Sequence, residues 1–436
     1  MTKKTNPIVT YRQIDQAFNK NHEAVMETAL NEAVNATNDP IEAGMMLASL
    51  GNALKTLEAA DNGTRAGVLL STEHKVASLL QSYLADKSEE EDKLDPLAAG
   101  GEEAKFDEKD LFRWFFSLFT WLKGIKSHPW LQAPAAPDPF PDGVDTVRLA
   151  LLGDWGTGLY GAPVCASSIE SDRTGYQMLF HLGDVYYSGD KKEVRDRFLQ
   201  YWPTNARAIS RAMNSNHEMY TGGKAYFEQT LTEFKQKASY FAFQNDHWLL
   251  VGLDSAYNDP DLKFDKATLT DDQITWLTNL VNQKGSRKLI LFSHHQPISW
   301  FDLQKGEMNN QLSAVLNNQQ IFAWYWGHEH RCILYDKHPN WGFYGRCAGH
   351  SGYPYFRDKL GAAAVEVETQ GVKWRRMPAN NMAPSGLILD GPNQYLPGEE
   401  EDYGANGYMT LEFRDDKLNE IVHAPDGTRL YERELI

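Results

Sequence analysis

From residue 147 onward the chain repeats one pattern, an apolar run that breaks off in a short polar motif. VRLALLGDWG, MLFHLGDVYY, WLLVGLDSAY, KLILFSHHQP and IFAWYWGHEH all have this form. Their apolar runs are continuous rather than alternating, which predicts strands buried on both faces. Helical signals lie between them. TDDQITWLTNLV at 270–281 opens with a Thr/Asp cap and sets Ile274, Leu277 and Val281 on one face. Further on, YMTLEF and LNEIVHA read as strands, and PDG at 425–427 as the turn after them. The stretch 377–407 reads as a long loop near the mouth of a site. Together these elements predict an α/β fold, a layered sandwich with helices outside a mixed sheet.

The N-terminal part has a different rhythm. Leu47, Leu50, Leu54 and Leu57 recur at helical spacing, as do Val76, Leu79, Leu80 and Leu84. Residues 1–95 are therefore expected to form a helical bundle that serves packing or oligomerisation. Residues 96–145 read as a linker. It holds an acidic, Gly/Ala-containing stretch, an aromatic helix in DLFRWFFSLFTWLKGIK, and a Pro-rich segment at 128–143 that cannot continue a helix. The aromatic helix is apolar nearly all round, so it is expected to pack between the bundle and the next domain rather than lie in a membrane interface. The α/β domain then takes 146–436.

Composition narrows the function classes. The 436 residues carry 43 Lys+Arg against 59 Asp+Glu, a formal charge of −16. That acidity argues against a nucleic-acid-binding surface or broad attraction to anionic membranes. Three scattered cysteines, Cys165, Cys332 and Cys347, do not make a disulfide framework. With no apolar run after the basic N-terminal residues, and none approaching ~18 residues anywhere, a cytoplasmic protein without a transmembrane segment is expected. Oligomeric state is not legible.

The chemistry lies in five short polar motifs: GDWG at 153–156, GDVYY at 183–187, NHE at 216–218, SHH at 293–295 and GHEH at 327–330. In open α/β folds, ligands bind beyond the carboxyl ends of the strands, where all of these motifs would fall. They supply Asp, Tyr, Asn and His, the inventory that two adjacent metal ions require. A lone Gly-Asp is an ordinary turn and a lone His-x-His seldom binds metal, so the weight comes from the conjunction and its order. By contrast, Asp254 in GLDSAY either ends a buried strand or supports the site from behind.

In this order the motifs resemble the calcineurin-like metallophosphoesterase superfamily. GDWG with GDxxY resembles its purple acid phosphatases, especially the small tartrate-resistant type. The resemblance spans roughly 146–360, about half of the chain. It implies a four-layer α/β/β/α metallophosphoesterase sandwich as the catalytic domain. It also implies a dinuclear-metal hydrolase of phosphomonoesters or phosphodiesters, in which a metal-bound hydroxide attacks phosphorus in line. Asp154, Tyr187 and His330 would bind the first metal, and Asp184 would bridge. Asn216, His328 and one histidine of SHH would bind the second. Counting from the strand favours His294 and counting back from Pro297 favours His295. His294 is the expected ligand, which leaves His295 to touch the substrate phosphate. His217 would contact the phosphate and assist the leaving oxygen, with Glu218 orienting its ring. Phenolate, carboxylates and one imidazole favour Fe(III) at the first position, and the second would take divalent Fe, Zn or Mn. The rival reading is a metal-binding scaffold or interaction protein on the same fold with little turnover. Two departures bear on it: Ser215 replaces the usual Gly before Asn-His, and the first motif is Asp-Trp-Gly rather than Asp-x-His.

Overall fold

The computed structural model describes Ser82 and residues 128–436 apart from 159–160, 205–207, 259–266, 302–306, 354, 356, 358–362 and 396–399. The helical bundle expected over 1–95, Ser82 excepted, and the aromatic helix within 111–127 lie outside the described residues.

The strands are β1 (Asp138–Pro139), β2 (Val147–Leu152), β3 (Met178–His181), β4 (Ile209–Ala212), β5 (Phe241–Gln244) and β6 (Trp248–Gly252). Next come β7 (Lys288–Ser293), β8 (Ile321–Trp326), β9 (Cys332–Tyr335), β10 (Tyr344–Ala348) and β11 (Val365–Thr369). The last are β12 (Val372–Met377), β13 (Gly386–Leu389), β14 (Tyr408–Arg414), β15 (Lys417–His423) and β16 (Arg429–Leu435). They form a ten-stranded sheet, ordered β1-β5-β6-β7-β8-β10-β9-β13-β12-β11, and a six-stranded sheet, ordered β16-β15-β14-β2-β3-β4. Both are mixed. β2, β3 and β4 run parallel, as do β6, β7, β8 and β10, with the antiparallel strands β14, β5 and β9 added outside them.

Alternation along these strands builds the layers. Leu149, Leu151 and Phe180 of the smaller sheet meet Leu250, Ile290 and Phe292 of the larger one in a core between the sheets. Their neighbours point the other way. Ala150, Leu152 and Leu179 pack under the helix Ala162–Ser171 and the helical turns of Glu193–Leu199. Val251, Leu289 and Leu291 pack under the helix Asp271–Gln283 and the short helix Ser313–Asn317. The result is helix, sheet, sheet, helix, with each inner strand buried on both faces.

The five apolar runs are strands at the expected places, and the 270–281 helix starts at its expected cap, where the Thr270 side chain accepts from the Gln273 amide. Its buried face is Gln273, Leu277 and Leu280, while Ile274 and Val281 are half-buried. Two expectations change. The 377–407 stretch contains β13, inserted between β9 and β12, because GLIL finds antiparallel partners on both sides. The Pro-rich 128–143 segment packs on the α/β domain. Trp130 stacks on Tyr240 at 5.1 Å, the Trp276 indole donates to the Pro134 carbonyl at 2.9 Å, and β1 pairs with β5. No helix among the described residues is long and apolar enough to cross a membrane.

Candidate metal centre

Each motif leaves the carboxyl end of a parallel strand: GDWG follows β2, GDVYY follows β3, NHE follows β4, SHH closes β7 and GHEH follows β8. The first two loops are hydrogen-bonded to each other. The Asp154 amide donates to the Gly183 carbonyl at 3.0 Å and the Gly156 amide to the Asp184 carbonyl at 3.0 Å. SHH and GHEH are tied in the same way, by the Gly327 amide on the His294 carbonyl at 3.0 Å.

The loops turn sharply. Asp154, Asp184, His328 and His330 have φ values of 54°, 73°, 67° and 54°, four of the nine non-glycine residues with positive φ among the described residues. Each such residue costs about 1–3 kcal/mol, and strain of this kind collects where it serves a site.

Two donor clusters result. In one, atoms of Asp154, Asp184 and His330 all lie within 4.8 Å of one another. His330 Nε2 stands 3.5 Å from Asp154 Oδ1 and 3.7 Å from Asp184 Oδ2. In the other, His294, His295 and His328 meet the same limit. His294 Nδ1 faces the Leu182 carbonyl at 2.8 Å, which assigns the proton of a neutral ring to Nδ1. Its Nε2 lone pair then points at three further electron-rich atoms: Asn216 Oδ1 at 2.9 Å, His328 Nδ1 at 3.2 Å and Asp184 Oδ1 at 3.2 Å. The Asn216 Nδ2 amide is taken by the Tyr220 hydroxyl at 3.0 Å, which leaves Oδ1 facing the cluster. Asp184 thus turns one oxygen to each cluster.

A cation fits this arrangement. Asp154 Oδ2 is buried without a hydrogen-bond partner, and a Cβ on Gly327 or Gly349 would fall 2.8 or 2.1 Å from it. Those two glycines therefore make room for the carboxylate oxygen. Burial, with the charge of Asp184 added, pushes the Asp154 carboxyl well above the usual carboxylate range. In Asp184 burial acts in the same direction, but electrostatic interaction with His294 and then His217 outweighs it and holds that carboxyl well below the range.

The phenol at the carboxylates belongs to Tyr186. Its hydroxyl donates to Asp184 Oδ2 at 3.0 Å and contacts His330 Nε2 at 2.5 Å. At Tyr187, the expected ligand, the amide donates to Glu193 Oε1 at 2.6 Å and the carbonyl faces His217 Nδ1 at 2.5 Å. That carbonyl also takes the orienting contact expected of Glu218, whose Oε2 instead receives the Asp184 amide at 3.3 Å and contacts the Ser215 hydroxyl. Burial pushes Glu218 up to about 8 and His217 down to about 4. His295, expected at the substrate, stands with His294 and His328, and Ser255 Oγ holds its Nδ1 at 2.8 Å.

No protein-family model matches this chain, and no curated protein does. Solved structures similar to it include a purple acid phosphatase from yellow lupin (Lupinus luteus) seeds, at 13% identity and a TM-score of 0.47 over 70% of this chain. The match takes in 56% of the lupin protein's length. GAP50, the anchor in the inner membrane complex of Plasmodium, is similar at 12% identity and a TM-score of 0.46, over 66% of this chain and 88% of that one. PhoD is similar at 13% identity and a TM-score of 0.41, over 70% of each chain. At these identities the likeness transfers no residue role, and the site's chemistry stands on its own side chains.

Sequence reasoning did not single out Tyr186 beside Asp184 and His330, Ser255 at His295, or Gly349 beside Asp154. Tyr186 was legible only as one of two adjacent tyrosines. Ser255 follows Asp254 at the end of β6, a position that marks the site's rim without naming a role. The loop of Gly349 also grips GDWG: the Ser351 amide donates to the Gly153 carbonyl at 3.0 Å and the Tyr353 amide to the Asp154 carbonyl at 2.9 Å. His350 on the same loop is buried, and burial lowers its pKa to about 3.

Proposed function

We propose that this protein hydrolyses phosphoric esters at a dinuclear metal centre. The observation that carries the reading is Asp184, a buried carboxylate with one oxygen toward His294 at 3.2 Å and the other toward His330 at 3.7 Å. Asp154, Asp184, Tyr186 and His330 would hold one cation. Asp184, Asn216, His294, His295 and His328 would hold the other. The first set is hard and anionic, which favours Fe(III), while the imidazole-rich second set suits divalent Fe, Zn or Mn. When bound, the cations supply positive charge at the phosphoryl oxygens and acidify a water. The chain's own residues supply placement. His217, its ring held by the Tyr187 carbonyl and packed 4.1 Å from the Tyr186 ring, would assist the leaving oxygen of the ester. Phosphomonoesters and phosphodiesters are both candidate substrates.

The test is metal analysis of the purified protein together with hydrolysis of p-nitrophenyl phosphate and bis(p-nitrophenyl) phosphate. Two metal equivalents with turnover of either ester support the reading. Bound metal without turnover of either makes the chain a metal-holding protein on a phosphoesterase fold, and absence of metal removes the reading altogether.

A further inference from the structure

Ser215 is the departure in the NHE motif, and its position explains why a serine serves there. Its backbone is extended, with φ −131° and ψ 173°, so nothing in the turn calls for glycine. The side chain is fully buried. Its hydroxyl donates to Asp184 Oδ1 at 2.6 Å and contacts Glu218 Oε2. Glu218 Oε2 in turn receives the Asp184 amide at 3.3 Å. The contacts close a ring that runs from the Asp184 amide to Glu218, to Ser215 and back to the Asp184 carboxylate. Both ends of one residue are thereby held by two neighbours.

The ring has little slack. A Cβ on Gly183 would fall 2.8 Å from Ser215 Cβ and 2.7 Å from His294 Nδ1, so the wall behind Asp184 is closed. A carboxylate that serves two clusters must keep each oxygen on its own side, and rotation about its side-chain bonds would lose that arrangement. Tyr186 restrains Oδ2 and Ser215 restrains Oδ1. Without the hydroxyl, Oδ1 keeps only His294 among its described polar contacts.

We infer that Ser215 is a positioning residue that aims Asp184 Oδ1 at the histidine cluster and so sets the affinity of that cluster for its cation. The inference rests on the metal-centre reading proposed above. Ser215 also accepts from the His217 amide at 3.1 Å as the cap of the short helix Asn216–Met219, and the experiment must separate the two roles.

The experiment titrates Zn(II) against a chromophoric chelator in the full-length chain, comparing wild type, Ser215→Ala and Ser215→Gly, with thermal unfolding recorded for each. Thr270→Ala, which removes a helix cap at another place in the fold, is the control for lost stability. Partners one shell out from a metal typically change its affinity ~10–100-fold, so weakening of that size is expected in both Ser215 variants and none in Thr270→Ala. Ser215 variants that unfold earlier yet hold Zn(II) as tightly as wild type when folded overturn the inference and leave the metal centre standing. A wild-type chain that takes up no Zn(II) overturns both.

Discussion

Asp184 and its neighbours show how much depends on single side chains. Asp184 is buried, left-handed and shared between clusters, so no other residue can stand in for it. Asp184→Ala is expected to lose bound metal and ester hydrolysis together, read by metal analysis and by a p-nitrophenyl phosphate assay. His217→Ala is expected to keep its metal and lose most turnover, as general acid–base groups contribute about 10²–10⁴-fold. Full activity in His217→Ala would remove the ring from the reaction. The tyrosines separate by colour. In iron-loaded protein, Tyr186→Phe is expected to abolish a phenolate-to-Fe(III) visible band, whereas Tyr187→Phe keeps it. The opposite outcome returns the ligand to Tyr187. Tyr186 and Tyr187 lie in the turn after β3, so only the path of that loop selects between them.

Elements deliver these residues, and some elements are coupled by polar contacts that no hydrophobic pattern discloses. Gln273 sits inside the Asp271–Gln283 helix, fully buried, where its amide donates to the Asp254 carbonyl at 3.0 Å and accepts the Asp254 amide at 2.7 Å. It ties the helix to the end of β6, next to Ser255, which holds His295. That polar anchor is why the buried face is rotated toward Gln273 from the Ile274–Leu277–Val281 stripe. Gln273→Ala strands a buried amide and carbonyl, each costing about 1–3 kcal/mol. Thr270→Ala removes only a cap, at about 1 kcal/mol. Denaturant unfolding is therefore expected to show the larger loss in Gln273→Ala, and equal losses would mean that the Asp254 tie contributes nothing. The loop after β3 has an anchor of its own: buried Glu193 receives the Tyr187, Ser188 and Asp190 amides and the Ser82 hydroxyl, at 2.6, 3.0, 3.1 and 2.8 Å. A residue of the N-terminal region thus touches the loop that carries Tyr186.

Across the whole molecule the two sheets are joined by more than apolar packing. Arg346 of β10 meets Glu420 of β15 at 2.6 Å with both side chains 1% exposed, and the Tyr325 hydroxyl of β8 donates to the same carboxylate at 3.0 Å. Arg346 also donates to the Tyr335 carbonyl at 2.7 Å, so the charge is well surrounded. Removing one partner of a buried pair leaves the other uncompensated, typically at about 3–5 kcal/mol. Glu420→Ala is expected to lower unfolding free energy by that order in urea, and a loss below about 1 kcal/mol would place the pair with ordinary surface ion pairs.

The sequence by itself determined the five apolar-run strands, the polar motifs and their order, because continuous apolar runs and strand-end glycines are local signals. It also determined which polar residues gather, since Asp154, Asp184, Asn216, His294, His328 and His330 all follow strands whose carboxyl ends meet. Only the tertiary structure decided which of two adjacent tyrosines reaches the carboxylates, that His294 and His295 share one cluster, and that Ser215, Ser255 and Gly349 surround the ligands. These outcomes depend on loop dihedrals and on contacts between residues far apart in the chain. Ser215 lies 31 residues from Asp184, and Ser255 lies 40 from His295. A spacing rule reads along one segment, and here the decisive hydrogen bonds run between segments.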